Sequence, residues 1–214
     1  MANINGAFGL RPISKVGQNS NSTGVSGYSS YEIASGNTNA IYFGSPVIPL
    51  STGYIDVVGA AAGGTVGLLG AFMGCKYVAS TTGKPTWSNY WPGSGADSNH
   101  PVEAFVADDP MQMFVIATDA SWTSKATARA AVFANANFGT GTSGSTTTGM
   151  SSATLSITLI ATTAALHLRI MGWEEDPSNM DFTAAGVGAI VRLNNHYHSP
   201  NGAIVAGTPS TTGV

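Results

Sequence analysis

Two histidines near the end of the last predicted strand have a spacing that suits metal binding. His196 and His198 are separated by one residue, so an extended backbone places both imidazoles on the same face. Two imidazoles are half of a zinc site, which also needs a third protein ligand and commonly a fourth. No third ligand lies near them in the sequence. The pair therefore predicts two surface histidines at a strand end, without a metal.

Clustered carboxylates occur at residues 108–109 and 174–176. Such groups can hold Ca²⁺, or can act as an acid–base pair when the fold brings them together. Neither cluster has the spaced Asp/Asn/Gly pattern of a calcium-binding loop, and nothing in the sequence connects one cluster with the other. We expect both to be solvated carboxylates in turns.

The single cysteine is the remaining candidate nucleophile. Cys75 precedes Lys76, a neighbour that can activate a thiolate, but it lies in a run typical of a buried strand, where a free cysteine is an apolar filler. Residues 139–149 lack the Gly-Lys-Ser/Thr ending of a phosphate-binding loop, and no Gly-x-Ser-x-Gly or dinucleotide fingerprint occurs. The chain is therefore expected to be non-enzymatic, with no catalytic residue, cofactor or metal.

Aromatic residues are concentrated in one polar segment, where Trp87, Tyr90 and Trp91 lie within five positions. Aromatic rings on a loop can stack on sugar rings or receive side chains of a protein partner. Alternatively, two of the three can fold inward and fix a long loop to the domain. A second short apolar cluster occurs near the N-terminus. The candidate partner-binding residues are Phe8, Leu10, Arg11, Pro12, Trp87, Tyr90 and Trp91.

The surface of this protein must be unusual, because only 9% of its 214 residues are charged, against about a quarter in an ordinary soluble domain. Such a surface loses its water at little cost, which favours a protein that packs against neighbours in an assembly. The net charge of −3 provides no basic face for nucleic acid. Residues 57–75 carry no charge and are nearly long enough to cross a bilayer, but their six glycines favour a buried hairpin over a membrane helix.

The elements that position these residues are mainly short strands. We expect strands at 28–33, 41–48, 54–58, 65–78, 102–106, 111–117, 153–160, 165–171 and 188–194. The best helix candidate is 121–134, and residues 79–101 are expected to form a long loop. This pattern predicts an all-β fold, either a β-barrel or a jelly-roll-like β-sandwich, with at most one short helix. The expected organisation is an extended N-terminal arm at 1–27, a β domain at 28–198 and a loose tail at 199–214.

Several strings in a fixed order carry a resemblance to known proteins. They are AN at 2–3, AFGLRP at 7–12, IYFGSPV at 41–47, LGAFMGCKY at 69–77, TGKPTWSNYWP at 82–92, ADDP at 107–110, GSTTTG at 144–149, LRI at 168–170 and NNH at 194–196. On these strings the chain resembles a family of small virion proteins of tailed bacteriophages that are encoded beside the major capsid protein.

The resemblance implies a capsid decoration (cement) protein, which binds the outer face of the head as a homotrimer and clamps adjacent major capsid protein subunits. An extended arm can serve this role by laying Phe8, Leu10 and Ile13 on a neighbour, with Arg11 paired to a carboxylate there. On that view, deleting residues 2–13 leaves a folded protein that no longer binds capsids. The alternative is a virion surface, tail or neck protein that binds host carbohydrate through the aromatic segment.

Overall fold

The computed structural model describes residues 3–16, 27–59 and 67–199. Within them one helix, α1 (Lys125–Ala130), accompanies thirteen strands. The strands are β1 (Arg11–Lys15), β2 (Ser29–Ile33), β3 (Pro46–Pro49), β4 (Ile55–Val57), β5 (Gly70–Val78), β6 (Pro85–Ser88), β7 (Val102–Ala107), β8 (Gln112–Ala117), β9 (Asn135–Ala136), β10 (Phe138–Thr140), β11 (Thr154–Leu155), β12 (Leu168–Trp173) and β13 (Gly188–Leu193).

Two larger antiparallel sheets and one small one contain all these strands. The five-stranded sheet has the order β1-β8-β13-β12-β9. The six-stranded sheet has the order β2-β7-β5-β3-β4, and β6 pairs with the second half of β5. Strands β10 and β11 form a separate two-stranded sheet.

Strand β5 is the centre of the six-stranded sheet, and its sequence explains why. Alternation along β5 places Met73 on one face of the sheet and Phe72 on the other, in two different apolar clusters. Gly70 is required because a Cβ there would lie 2.2 Å from the carbonyl oxygen of Ala107. Gly74 adopts a φ of +119°, between Phe72 and Cys75, where the pairing with β7 shifts register.

The sheets pack face to face as a sandwich. Residues of the five-stranded sheet, including Phe114 and Val191, share one buried cluster with Ile48 and Met73 of the six-stranded sheet. A second cluster covers the opposite face of the six-stranded sheet, where Trp91 and Phe72 are completely buried. The all-β prediction is confirmed, and neither larger sheet closes into a barrel within the described residues.

The helix is shorter than the predicted 121–134. Ser124 caps α1: its side chain accepts a hydrogen bond from the Thr127 backbone N–H, and the Thr127 hydroxyl accepts one from the Ser124 backbone N–H. The helix ends at Ala130 and the chain turns sharply three residues later, where Phe133 has a φ of +73°. Of the helices formed by described residues, none is long and apolar enough to cross a membrane.

Three further sequence predictions need correction. The strand predicted at 153–160 is only two residues long, because the chain turns away after Leu155 and Leu159 is about half exposed. The loop predicted at 79–101 contains β6. The hairpin predicted within 57–75 is wrong in its pairing, since β4 pairs with β3 and not with β5.

The N-terminal segment is extended, as expected, but it packs onto its own chain. Strand β1 pairs with β8 at the edge of the five-stranded sheet, and Leu10 is fully buried in the core between the sheets. Upstream, the Asn3 side-chain amide donates hydrogen bonds to the backbone carbonyls of residues 181, 184 and 185. The remaining part of the predicted arm (17–26) and the predicted tail from 200 onward lie outside the described residues.

Candidate functional site

The seven candidate partner-binding residues have very different exposures. Leu10 and Trp91 are 0% exposed and lie in the two main apolar clusters, so both face the protein's own core. Phe8, Pro12 and Tyr90 are half-buried, and Arg11 is exposed. Trp87 is the most accessible large ring of the set, with 67% of its surface exposed.

The N-terminal candidates are committed to contacts within the chain. Arg11 forms an ion pair with Glu174 at 3.0 Å, and its guanidinium carbon lies 5.1 Å from the centre of the Phe8 ring. The Leu10 backbone N–H donates to the Gly44 carbonyl at 2.8 Å. The carboxylate expected on a neighbouring molecule for Arg11 is therefore present in the same chain.

The three aromatic residues of the segment 87–91 lie in three different environments. Tyr90 stacks on Tyr42, and Trp91 meets the Tyr77 ring edge-on. Trp87 instead stacks on Phe105, with ring centres 5.6 Å apart and planes 7° apart. Trp91 folds inward and Tyr90 is half-buried, so only Trp87 is presented fully at the surface.

Exposed Trp87 and Tyr28 form an aromatic patch together with half-buried Phe105. Tyr28 is 48% exposed, and all three residues line a shallow pocket of about 350 Å³, with Met73 and Ser88 among the other lining residues. The patch lies on the face of the six-stranded sheet that carries the main core. Exposure rises along this face from 8% at Met73, which packs in the core between the sheets, to 67% at Trp87, which belongs to neither main apolar cluster.

A row of charged side chains borders the aromatic patch. The cross-strand register aligns Trp87 with Lys76, Lys76 with Glu103, and Glu103 with Glu32. The Lys76 Nζ lies 5.3 Å from the Trp87 ring centre and 4.0 Å from Glu103 Oε2. The hydroxyl of Ser30 donates to Glu103 Oε1 at 2.7 Å. The patch therefore combines flat apolar rings with hydrogen-bonding groups at its edge.

The two histidines do not form a symmetrical surface pair. His198 is partly exposed, with Nε2 lying 2.9 Å from the Tyr31 hydroxyl and 3.6 Å from Asp108 Oδ2. His196, predicted to be at the surface, is only 2% exposed, and its Nε2 has no hydrogen-bond partner. Burial, with a smaller effect from the charge on His198, lowers the pKa of His196 to about 4.

The candidate histidine and carboxylate clusters make local contacts in the part of the chain that the structure describes. No group of three His, Cys, Asp or Glu side chains there is placed to hold a metal ion. Asp108 accepts hydrogen bonds from Ser29 and Tyr31, and burial together with Asp108 raises the pKa of Tyr31. Asp109 pairs with Lys15, whose hydrogen bond lowers the pKa of that carboxyl. These acids hold β1 and β2 to the turn between β7 and β8.

Cys75 is buried beneath the candidate site. Burial raises the pKa of its thiol to about 12, which disfavours the thiolate that nucleophilic chemistry needs. Its Sγ lies 3.6 Å from the Tyr90 carbonyl oxygen. Cys75 therefore acts as the apolar filler that its position in the sequence indicates.

Phe105 and Tyr28 were missing from the sequence prediction of the site. The alternation of β7 contains a signal for Phe105, because Val102, Ala104 and Val106 share one face and leave Glu103 and Phe105 on the other. Tyr28 has no comparable signal, since its place beside Phe105 depends on the pairing of β2 with β7. No family model, curated protein or solved structure matches this chain.

Proposed function

We propose that this protein is a non-enzymatic decoration protein of a bacteriophage capsid, which binds the outer face of the head and joins adjacent major capsid protein subunits. The resemblance of the sequence suggests this role and a homotrimeric state. The observation that best supports it is the aromatic patch of Tyr28, Trp87 and Phe105, in which Trp87 and Tyr28 are exposed, on a chain with very few charges.

The composition of the patch suits a protein–protein contact. Trp and Tyr are enriched among residues that dominate binding energy, because they bury a large area and lose little conformational freedom. Only 9% of the chain is charged, and the two charges nearest the rings, Lys76 and Glu103, lie 4.0 Å apart, so covering the rings buries little unpaired charge. The site of contact proposed from the structure is thus the sheet face around Trp87, in place of the N-terminal segment 2–13.

The test is a binding assay with heads of the phage that encodes this chain, prepared without the protein. Purified protein is added and bound protein is measured by sedimentation with the heads. We expect Trp87→Ala to weaken binding by about tenfold or more, since loss of a central aromatic anchor costs about 2 kcal/mol. Leu159→Ala is the matched control, because Leu159 is also an exposed apolar side chain but does not line the patch.

Equal binding by the Trp87→Ala protein, at unchanged folding stability, would refute the patch as the capsid contact. Electron cryo-microscopy of the assembled particle then tests the location itself. Density on the outer shell at the seams between capsid subunits supports decoration, whereas density only at the neck or tail contradicts it.

A second candidate function is carbohydrate binding on the virion surface. The supporting observation is that the exposed ring of Trp87 lies beside Lys76, Glu103 and Ser30, since sugars bind through an apolar ring face and peripheral hydroxyl groups. Titration with neutral sugars should quench tryptophan fluorescence in the wild type and not in Trp87→Phe. Absence of quenching across a sugar panel rules against this function and leaves capsid binding untouched.

A further inference from the structure

The sheets contain one pair of neighbouring positive side chains and one pair of neighbouring negative side chains, although the chain carries few charges. Arg169 of β12 lies directly opposite Arg192 of β13. Glu32 of β2 lies directly opposite Glu103 of β7. Like charges directly opposite one another on neighbouring strands destabilise a sheet. Each pair therefore lowers the stability of the isolated subunit unless another group offsets the repulsion.

The arginine pair lies on the outer face of the five-stranded sheet. Leu168, Ile170, Val191 and Leu193, which alternate with the two arginines, all belong to the core between the sheets. Arg169 donates from Nε to Asn135 Oδ1 at 3.0 Å. The Nε of Arg192 is buried without a hydrogen-bond partner, and no carboxylate in the described ranges forms an ion pair with Arg192.

Two half-buried apolar side chains lie beside Arg192. Met113 is the register partner of Arg192 on β8, and Ile190 lies two residues before Arg192 on the same face of β13. A partner that brings carboxylates to this face would therefore also cover apolar surface. The outer face of the sheet thus has the composition of a protein contact rather than of a fully solvated surface.

In the glutamate pair, Glu32 is the residue without a charged partner in the described ranges. Glu32 is exposed and makes no ion pair with the residues that the structure describes, whereas Glu103 has Lys76 at 4.0 Å and Ser30 as a hydrogen-bond donor. Strand β2 is at the edge of its sheet, so an approaching molecule can reach Glu32 from the side. Trp87 lies three strands from Glu32, about 14 Å at the usual strand spacing, so a second copy can reach Glu32 without covering the Trp87 ring.

We propose that the arginine pair of one copy of this chain binds the glutamate pair of a second copy. Both pairs are direct cross-strand neighbours, for which Cβ atoms lie about 5 Å apart, so two guanidinium groups can meet two carboxylates in register. The second copy is the fitting partner because it necessarily carries the complementary pair.

The two surfaces are different, so the contact is head-to-tail. Such contacts generate closed rings when the rotation between subunits closes, and filaments when it does not. The proposed function includes a homotrimer, and this inference rests on that self-association and names the two surfaces that form it. It does not depend on capsid binding.

The test measures the mass of the purified protein in solution by light scattering and sedimentation equilibrium. The wild type should form a multiple of the 21.7 kDa chain. Both Glu32→Arg and Arg192→Glu should weaken association by about tenfold or more, as expected for close interfacial charge pairs. The double variant carrying both changes exchanges the two charges and should recover association.

Glu175→Arg is the matched control for the change in net charge, since Glu175 is exposed and lies outside both pairs. Its association should equal that of the wild type. Because Glu32 is exposed, its variant tests the contact even if Arg192→Glu disturbs folding. A monomeric wild type, equal weakening by Glu175→Arg, or no recovery in the double variant would overturn the proposal. If the protein is monomeric and still binds capsids through Trp87, only this inference is overturned and the proposed function stays in place.

Discussion

Leu10→Ala is the substitution that most directly tests how the N-terminal segment is used. If residues 1–27 were an arm for a neighbour, Leu10 would contribute nothing to the stability of the isolated subunit. In the structure, Leu10 is 0% exposed and packs in the core between the two larger sheets. Truncation of a fully buried leucine costs about 2–5 kcal/mol, through lost burial and the cavity left behind.

We therefore expect Leu10→Ala to lower the free energy of unfolding by about 3 kcal/mol. For a chain of this size, that corresponds to a decrease in melting temperature of about 6–12 °C. Urea unfolding and a thermal melt followed by circular dichroism both measure it. The control is Ile4→Ala in the same segment, where the side chain is 78% exposed and the expected change is below about 0.5 kcal/mol.

A Leu10→Ala protein as stable as the Ile4→Ala control would refute the packing of the segment onto its own chain. The packing of Leu10 in the core also changes what we expect from a deletion of residues 2–13. That deletion removes Leu10 and most of β1, so it should destabilise the domain and not merely abolish capsid binding. Loss of binding by the truncated protein would then say nothing about an arm.

Two further predictions concern single sites. The pKa of His196 is lowered to about 4 by burial, so the unfolded chain, with an ordinary value near 6.5, takes up the proton first as the pH falls. His196 should therefore account for a decrease in stability of about 3 kcal/mol between pH 6.5 and 4. Urea unfolding of His196→Gln should show a correspondingly smaller decrease, and an unchanged pH profile in that variant would contradict the assignment. Gly9→Ala should lower stability by about 2 kcal/mol or more, because Gly9 has a φ of +75° and a Cβ would lie 2.5 Å from the Gly44 oxygen. Gly6→Ala, which meets open space, is the control in the same thermal melt, and equal melting of the two variants would refute the close approach at Gly9.

The sequence predicts the long strands well because their own alternation carries the signal. Strands β7, β8 and β13 occur within one residue of their predicted positions, whereas β5 begins five residues later and β12 three residues later than predicted. The alternation of Leu168 and Ile170 with Arg169 correctly assigns which side faces the core. The same alternation misleads at 153–160, where the period is present but only two residues find a pairing strand.

The candidate site is less predictable, because exposure depends on what covers each residue. Trp87 and Trp91 have similar neighbours in sequence, yet one is 67% exposed and the other is 0% exposed. The difference arises because Trp91 pairs with Ile41 and packs in the cluster beneath the six-stranded sheet, whereas Trp87 belongs to neither main apolar cluster. No local sequence pattern indicates which of the two tryptophans is covered.

The sequence by itself determines the class of fold and the sparsely charged surface, because strand periodicity and composition are local properties of the chain. Only the tertiary structure decides that Leu10 belongs to the core, that Phe105 and Tyr28 join Trp87, and that Arg169 and Arg192 lie opposite one another. Those outcomes depend on which strands pair and in which register. A shift of one residue in any pairing would exchange the core face with the surface face and remove the site.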